Sequence, residues 1–478
     1  MPDPLSPPSW LARFGAGATR TAACTLCELE QRFGVCVPAT LFPKAAAKQN
    51  SRDRLYTRWR TFWCVLWQSL QPGASGREVV RQLQALFVLH GGPPLSAQDG
   101  AYCRARARLP LAPFAQALTA TAQAAAERAG PAGGLRGRPI KIVDGSTVVL
   151  PDTPKNRGAY PALHSAPPNF PLMRLVVLFA LASGAVLALA EGSLHGSELA
   201  LLNQLLAHLA PGDIVIGDRG FGGYPLVAWL QQQGVDFLGR TTRKLDGRRR
   251  TRRLGPGDWL ATWAKSPRGS PWLTPAQWAG LPAAITVRVV RGQVSCKGFR
   301  AKQITVITTL LDPTLYPAEE ILRAYLRRWR LELCLDDLKT TLRLDMLRSH
   351  SPALARQEVL ARMIAHNLVR WTMAQAARAH GPALERISFK GTLDALRHFG
   401  QAMSQARSRR LRKALWVELL RTLAADAVPE RPGRREPRAV KRKKNKYPRL
   451  SVPRPRFHDR PKTHRRRTLA RLRNLGLK

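Results

Sequence analysis

The run LMRLVVLFALASGAVLALA, residues 172–190, decides the fold. It approaches the ~20 apolar residues that span a bilayer, but it carries Arg174 and is cut by Ser183-Gly184. Two short strands joined by a turn account for it, and a lipid-embedded helix does not. Just upstream, PIKIVD (139–144) reads as a further strand, so the three make a meander. Downstream the pattern predicts a helix over about 197–209 and the strand DIVIGD (213–218). A helix from Tyr224 through Gln233, with Pro225 near its start, and the strand VDFLGR (235–240) follow. A meander followed by helix and strand in alternation is the order of a ribonuclease-H-like unit, a mixed α/β sheet covered by helices.

Working outward, RKLDGRRRTRR (243–253), several Trp and the strand-like ITVRVV (285–290) interrupt that unit as a β-rich insertion. ITVITTLL (304–311) then resumes the core, and a long helix is expected from about Ala318. The domain partition reads as a loosely ordered leader at 1–50, an N-terminal helical DNA-binding domain at 51–135 and the first part of the core at 136–240. The insertion at 241–300 comes next, then the second part of the core at 301–350, a C-terminal helical region at 351–426 and a basic, disordered tail at 427–478. The tail holds roughly twenty Lys and Arg against three acids and is broken by prolines, a composition that cannot bury a core. The helix beginning near GAYCRARARLP (100–110) presents Arg104, Arg106 and Arg108, either as a DNA-reading module or as a solvated basic face.

The chain has 478 residues, 45% of them apolar, with twelve Trp and a formal charge of +46. That core content requires a folded protein, and that charge calls for a polyanionic partner, nucleic acid before an anionic membrane. The start MPDPLSPPSW lacks the apolar run of a signal peptide, and seven irregularly spaced Cys suit a reducing cytoplasm. Cys24 and Cys27 form a CxxC with Cys36 nearby, but no second pair closes a zinc site.

The chemistry concentrates in YLRRWRLELCLDDLK, residues 325–339, where Tyr325, Arg328, Glu332 and Lys339 recur at steps of three, four and seven. On a helix those steps place a phenol, two cations and one carboxylate on one face. Asp144 and Asp218 each follow an apolar strand, and in alternating α/β sheets ligands gather beyond the carboxyl ends of neighbouring parallel strands. Three acids converging there would share hard divalent cations, which prefer oxygen ligands, and a metal pair about 4 Å apart serves in-line attack at phosphorus. Arg328 and Lys339 would grip phosphates, and Tyr325 would donate to a phosphate oxygen or stack on a base. Asp152, Asp312, Asp336, Asp337 and Asp345 compete for the acidic role, Asp336 most closely.

These residues resemble the DDE transposases of bacterial insertion sequences, IS-four type, whose signature is Tyr, Arg, Glu and Lys with two, three and six residues between them. Tyr325, Arg328, Glu332 and Lys339 match it, while DGSTVVLPDTPKN (144–156), GDRGFGGYPLV (217–227) and KGFRAKQITVITTLLDP (297–313) resemble the segments around its acids. The resemblance implies a ribonuclease-H-like core, Asp144, Asp218 and Glu332 as catalytic metal ligands, and Mg2+ or Mn2+, two ions, as cofactor. It also implies DNA partners, the terminal inverted repeats and target DNA, bound by a homo-oligomer, a dimer, in the bacterial cytoplasm at the nucleoid with no membrane attachment. Two other readings share the same residues: a nuclease without strand transfer, and an inactive DNA-binding relative. Trp259, Trp263, Trp272 and Trp278 of the insertion read as core packing before any base-holding role.

Overall fold

The structure is a computed structural model that describes residues 27–42, 55–89, 91–92, 94–130, 134–162, 170–243, 245, 250–293, 303–406 and 408–428. The expected disordered tail from 429 onward, most of the leader (1–26 and 43–50), and Cys24 lie outside the described residues.

A short helix α1 (Cys27–Phe33) opens the described chain, so part of the leader is ordered and buries Leu29 and Phe33. Four helices follow: α2 (Arg58–Leu70), α3 (Gly76–Leu89), α4 (Gly100–Ala107) and α5 (Ala112–Ala129). Thr57 caps α2 by accepting the Arg60 amide, and Phe42, Phe62, Trp63 and Phe114 close an aromatic core between these helices.

The sheet begins with β1 (Ile140–Val149), and the short helix α6 (Pro154–Ala159) separates it from β2 (Leu172–Ala180) and β3 (Val186–Ser193). The decisive apolar run is two strands, reversed at Ser183-Gly184, where Gly184 takes φ +67° that a side chain would resist. The helix expected over 197–209 is shorter: α7 (Glu198–Asn203) gives way to i→i+3 bonding from Gln204 and a 3-10 turn at Leu206–His208. Then come β4 (Ile214–Gly217), α8 (Tyr224–Gln232) and β5 (Asp236–Gly239). The insertion supplies β6 (Arg250–Gly255), β7 (Asp258–Ala264), α9 (Pro275–Ala279) and β8 (Ala284–Gly292), and β9 (Ile304–Thr308) follows.

The nine strands among the described residues form one sheet in the order β3-β2-β1-β4-β5-β9-β8-β7-β6. β1, β4 and β5 run parallel, and the other neighbouring pairs are antiparallel. The insertion strands therefore extend the central sheet through the β8–β9 ladder.

Past β9 the chain runs through α10 (Ala318–Leu326), α11 (Trp329–Asp336), a π-helical turn (Asp337–Thr341), the long α12 (Pro352–His380), α13 (Phe389–Gln405) and α14 (Arg409–Ala425). α12 packs on α5, α2 and α14 and is buried along nearly its whole length. Strand alternation sends Ile140, Ile142, Ile214 and Ile216 toward that helical layer and Val143, Val176 and Val215 toward the layer containing α7 and α8. No described helix is long and apolar enough to cross a membrane.

Candidate active site

The register of the parallel strands builds the site. β1 and β4 pair at Ile140 with Ile214, Lys141 with Val215 and Ile142 with Ile216, and β4 and β5 pair at Ile216 with Leu238 and Gly217 with Gly239. Continuing the register puts Asp144, Asp218 and Arg240 in one row across three adjacent strands, which lie about 4.8 Å apart. Asp218 and Arg240 follow the ends of β4 and β5, whereas Asp144, expected at a strand end, lies within β1, which runs on to Val149 against β2 because only its parallel pairing with β4 stops at Ile142. Asp144 shares the face of Ile142, two residues back, and so looks toward the layer that carries α10 and α11. The Gly145 amide donates to Asp144 Oδ1 at 2.8 Å, and the Gly220 amide donates to Asp218 Oδ1 at 2.8 Å.

Arg240 is exposed, and sequence reasoning missed it: a single arginine after a strand carries no signal until the register of β4 and β5 is known. The loop between Asp218 and α8 presses on it, because a Cβ on Gly222 would stand 1.7 Å from the Arg240 carbonyl oxygen. Gly222→Ala must push this loop off β5. It is expected to lower stability by about 1–3 kcal/mol, read as a lower urea midpoint at unchanged slope; an unshifted midpoint would show that the loop is free to yield.

The acidic helix differs from the continuous one expected. Arg327, Arg328, Arg330 and Leu331 each donate their amides three residues back, which tightens the chain between α10 and α11 into a 3-10 turn. Side chains three apart eclipse in that geometry, so Tyr325 stands directly over Arg328. Burial pushes the Tyr325 phenol up, against the pull of the Arg328 and Arg240 guanidinium groups, and Asp218 adds to the rise. Tyr325 therefore stands within electrostatic reach of three members of the row and helix.

Arg328 joins the two acids from different elements. Its Nη2 donates to Glu332 Oε1 at 2.8 Å, and its Nη1 stands 3.9 Å from Asp144 Oδ2. Burial pushes the Asp144 carboxyl up to about 6; the Gly145 amide and Arg328 pull it down, and the Asp218 and Glu332 charges push it further up. Asp144, Asp218, Glu332, Arg328 and Tyr325 thus form one electrostatic cluster. Lys339 lies on the π turn, half-buried, and no hydrogen bond or ion pair among the described residues ties it to that cluster.

Two of the competing acids are engaged elsewhere. Asp152 pairs with Arg157, and Asp312 caps Thr314 and Leu315. Burial pushes Asp337 up to about 7, with Arg370 of α12 pulling it down. Asp336 is exposed.

Both ends of the acidic helix pair are fastened to the sheet. At the entry, fully buried Arg288 of β8 donates Nε to Asp258 Oδ1 at 2.8 Å and Nη1 to the Tyr316 carbonyl at 2.7 Å, just before α10. At the exit, the Val149 amide at the end of β1 donates to the Asp345 carbonyl, and the Leu347 amide donates back to Val149. Buried Glu358 of α12 accepts the amides of Arg348 and Ser349 and pairs with Arg362, which sets this exit segment. In the insertion Trp259, Trp263 and Trp272 are buried, and Trp278 is half-buried beneath Lys265 Nζ, 4.9 Å from the ring centroid.

Asp144 and Asp218 thus share one row of the sheet, facing a helix that carries Glu332 and Arg328. Residues 135–368 match the protein family described as Transposase DDE domain. The chain is 28% identical over 396 residues to the transposase InsG for insertion sequence element IS4 of Escherichia coli (strain K12), an alignment covering 81% of this chain and 85% of that protein. Both findings support an IS4-family DDE transposase. Among solved structures, a piggyBac transposase synaptic complex with hairpin DNA aligns over 91% of this chain and 89% of its own, at 11% identity and a TM-score of 0.41, too loose a likeness to argue from.

Proposed function

We propose that this transposase cleaves DNA at the ends of its element and joins those ends to target DNA, with Asp144, Asp218 and Glu332 as the catalytic acids. The observation that carries the assignment is the register row Asp144–Asp218 together with the Arg328 bridge from Asp144 to Glu332. The strand order β3-β2-β1-β4-β5, with only its first two pairings antiparallel, supports a ribonuclease-H-like core at 136–240 and 301–350. On this reading the helices of 51–135 bind the terminal repeats, 241–300 is the insertion, and two protomers hold paired DNA ends.

The acids fit a divalent metal in chemistry: all their donor atoms are carboxylate oxygens, the choice of hard cations, and burial first, then the Asp218 and Glu332 charges, raises Asp144, which a cation would relieve. Among the described residues no group of three His, Cys, Asp or Glu is close enough to hold a metal ion, and the positive charge between Asp144 and Glu332 is the Arg328 guanidinium. Bound there, Mg2+ or Mn2+, two ions on this reading, would stabilise charge on the attacking and departing oxygens. The chain's own part is to orient the phosphate: Arg328, Arg240 and Lys339 bind its oxygens, and Tyr325 donates its phenol proton in a hydrogen bond to one of them.

The Asp144 carboxyl lies above its usual value, so its protonated form favours the folded state. That contribution is complete below the usual carboxylate range and is lost as pH rises through about 6. A cation replaces the proton. Between pH 6 and 5 the affinity for Mn2+ is expected to fall about fivefold, so the rise in thermal midpoint on adding Mn2+ should be large at pH 8 and small at pH 5. A rise independent of pH, or one kept in Asp144→Asn, would remove Asp144 from the metal site.

Strand transfer is tested by supplying pre-cleaved element ends with a target plasmid. Joined product is expected. Cleavage of intact ends without joining would mark a nuclease, and no new ends at any Mg2+ concentration would mark a DNA-binding relative.

A further inference from the structure

Between α1, α5, α12, α13 and α14 lies a cleft of about 670 Å3, which shares no residue with the acidic cluster. Arg32, Arg128, Arg409, Arg412 and Lys413 line it, and among the described residues no Asp or Glu does. Its floor is aromatic: Trp371 and Trp416 stand 6.0 Å apart between ring centroids at 37°, and Phe33 meets Trp371 edge-on at 5.7 Å. Arg32 lies 5.8 Å over the Trp416 ring, and Arg412 donates Nη1 to the Ala406 carbonyl at 2.8 Å, so two of the five cations are already oriented. Arg128, Arg409 and Lys413 are exposed at the rim, and Trp416 is only partly buried.

The combination selects its ligand. Arg128, Arg409, Arg412 and Lys413 crowd one cleft and repel one another until an anion enters, which marks a site for several phosphates and not for a single neutral molecule. The volume falls in the range of about 300–1,000 Å3 typical of ligand clefts, more than one inorganic anion needs. A duplex could offer the rim its phosphates, but its paired bases could not reach indoles on a concave floor. An unpaired base can stack there while its flanking phosphates meet the guanidinium rim.

We propose that this cleft is a second nucleic-acid site that holds a single-stranded DNA segment, phosphates on the cationic rim and a base against Trp416. The inference goes beyond the cleavage reading: the cleft would bind whether or not the acids cut.

The test is lysine footprinting of the full chain, reading acetylation of Lys413 by mass spectrometry with and without a single-stranded oligonucleotide of about twelve nucleotides. The strand is expected to slow Lys413 acetylation about tenfold or more, and a duplex matched in phosphate concentration less than twofold. Arg128→Ala/Arg409→Ala, which alters exposed side chains alone, should remove most of that protection while the circular dichroism spectrum stays unchanged. Trp416→Leu should weaken it by a similar factor, and Glu332→Ala should leave it intact, so failure of the cleavage assignment would show separately. Absence of protection by the single strand, equal protection by the duplex, or protection that survives the double substitution would each overturn the proposal.

Discussion

Replacing Glu332 with Ala is expected to lower metal-dependent strand cleavage by about a thousandfold or more, with DNA affinity kept within about twofold. The asymmetry follows from where Glu332 stands. Its carboxylate opposes the charge of a DNA backbone, so binding should not depend on it, while on the proposed reading the acid row on the sheet needs it to complete an oxygen donor set. A second signature comes from Arg328, which divides its guanidinium between Glu332 at 2.8 Å and Asp144 at 3.9 Å. Without Glu332 that cation is free for Asp144 and one acidic neighbour is gone, so the Asp144 carboxyl should titrate below its present value near 6. Cleavage is measured on an end-labelled duplex at saturating Mn2+ alongside a filter-binding isotherm. Cleavage within tenfold of the parent chain would mean that Glu332 is not the third acid.

The second large effect lies away from the acids. Arg288→Ala should cost about 3–5 kcal/mol, because it leaves the Asp258 carboxylate buried without its partner. The loss also strips the donor from the Tyr316 carbonyl at the entry to α10, the fastening that sets how the acidic helix pair meets the sheet. Stability is read from chemical unfolding. Asp258→Leu/Arg288→Met, which removes both charges together, should be closer to the parent than either single change. A double variant as unstable as the singles would show that the carbonyl contacts, and not the charge pair, hold the joint. Cleavage by the double variant should still fall, since the loosened α10 no longer fixes Glu332 against Asp144.

The sequence made some of this legible and hid the rest for physical reasons. Asp144 and Asp218 stand out because each acid follows an apolar run, although β1 continues past Asp144 to Val149 through its pairing with β2, and the Ser183-Gly184 break separated β2 from β3 because a turn pair cannot continue either strand. Helix α8 was readable from Pro225 near its start. Arg240 was not, since its place in the row comes from strand register, a property of pairing and not of local composition. The 3-10 turn at Arg327 and Arg328 was equally hidden: the same residues read as uninterrupted helix, and the tightening shows only in the amide bonds that reach three residues back. Lys339 matched by spacing alone, and the π turn changes its angle about the axis from the one that spacing assumed. Arg288 looked like one more basic residue in an apolar strand; its burial depends on Asp258, thirty residues earlier in the chain.

The outer strand of the sheet has one further consequence. β6 presents Arg250, Thr251, Arg252 and Arg253, all exposed, along a margin that, among the described residues, pairs on one side only. An open strand margin is a template for another chain, and a row of like charges is a common defence against such stacking. Two copies meeting margin to margin would bring arginines against arginines, so a crowded solution of this protein should resist growing into fibrils through that strand. Neutralising the three arginines would be the quickest way to make it sticky to itself.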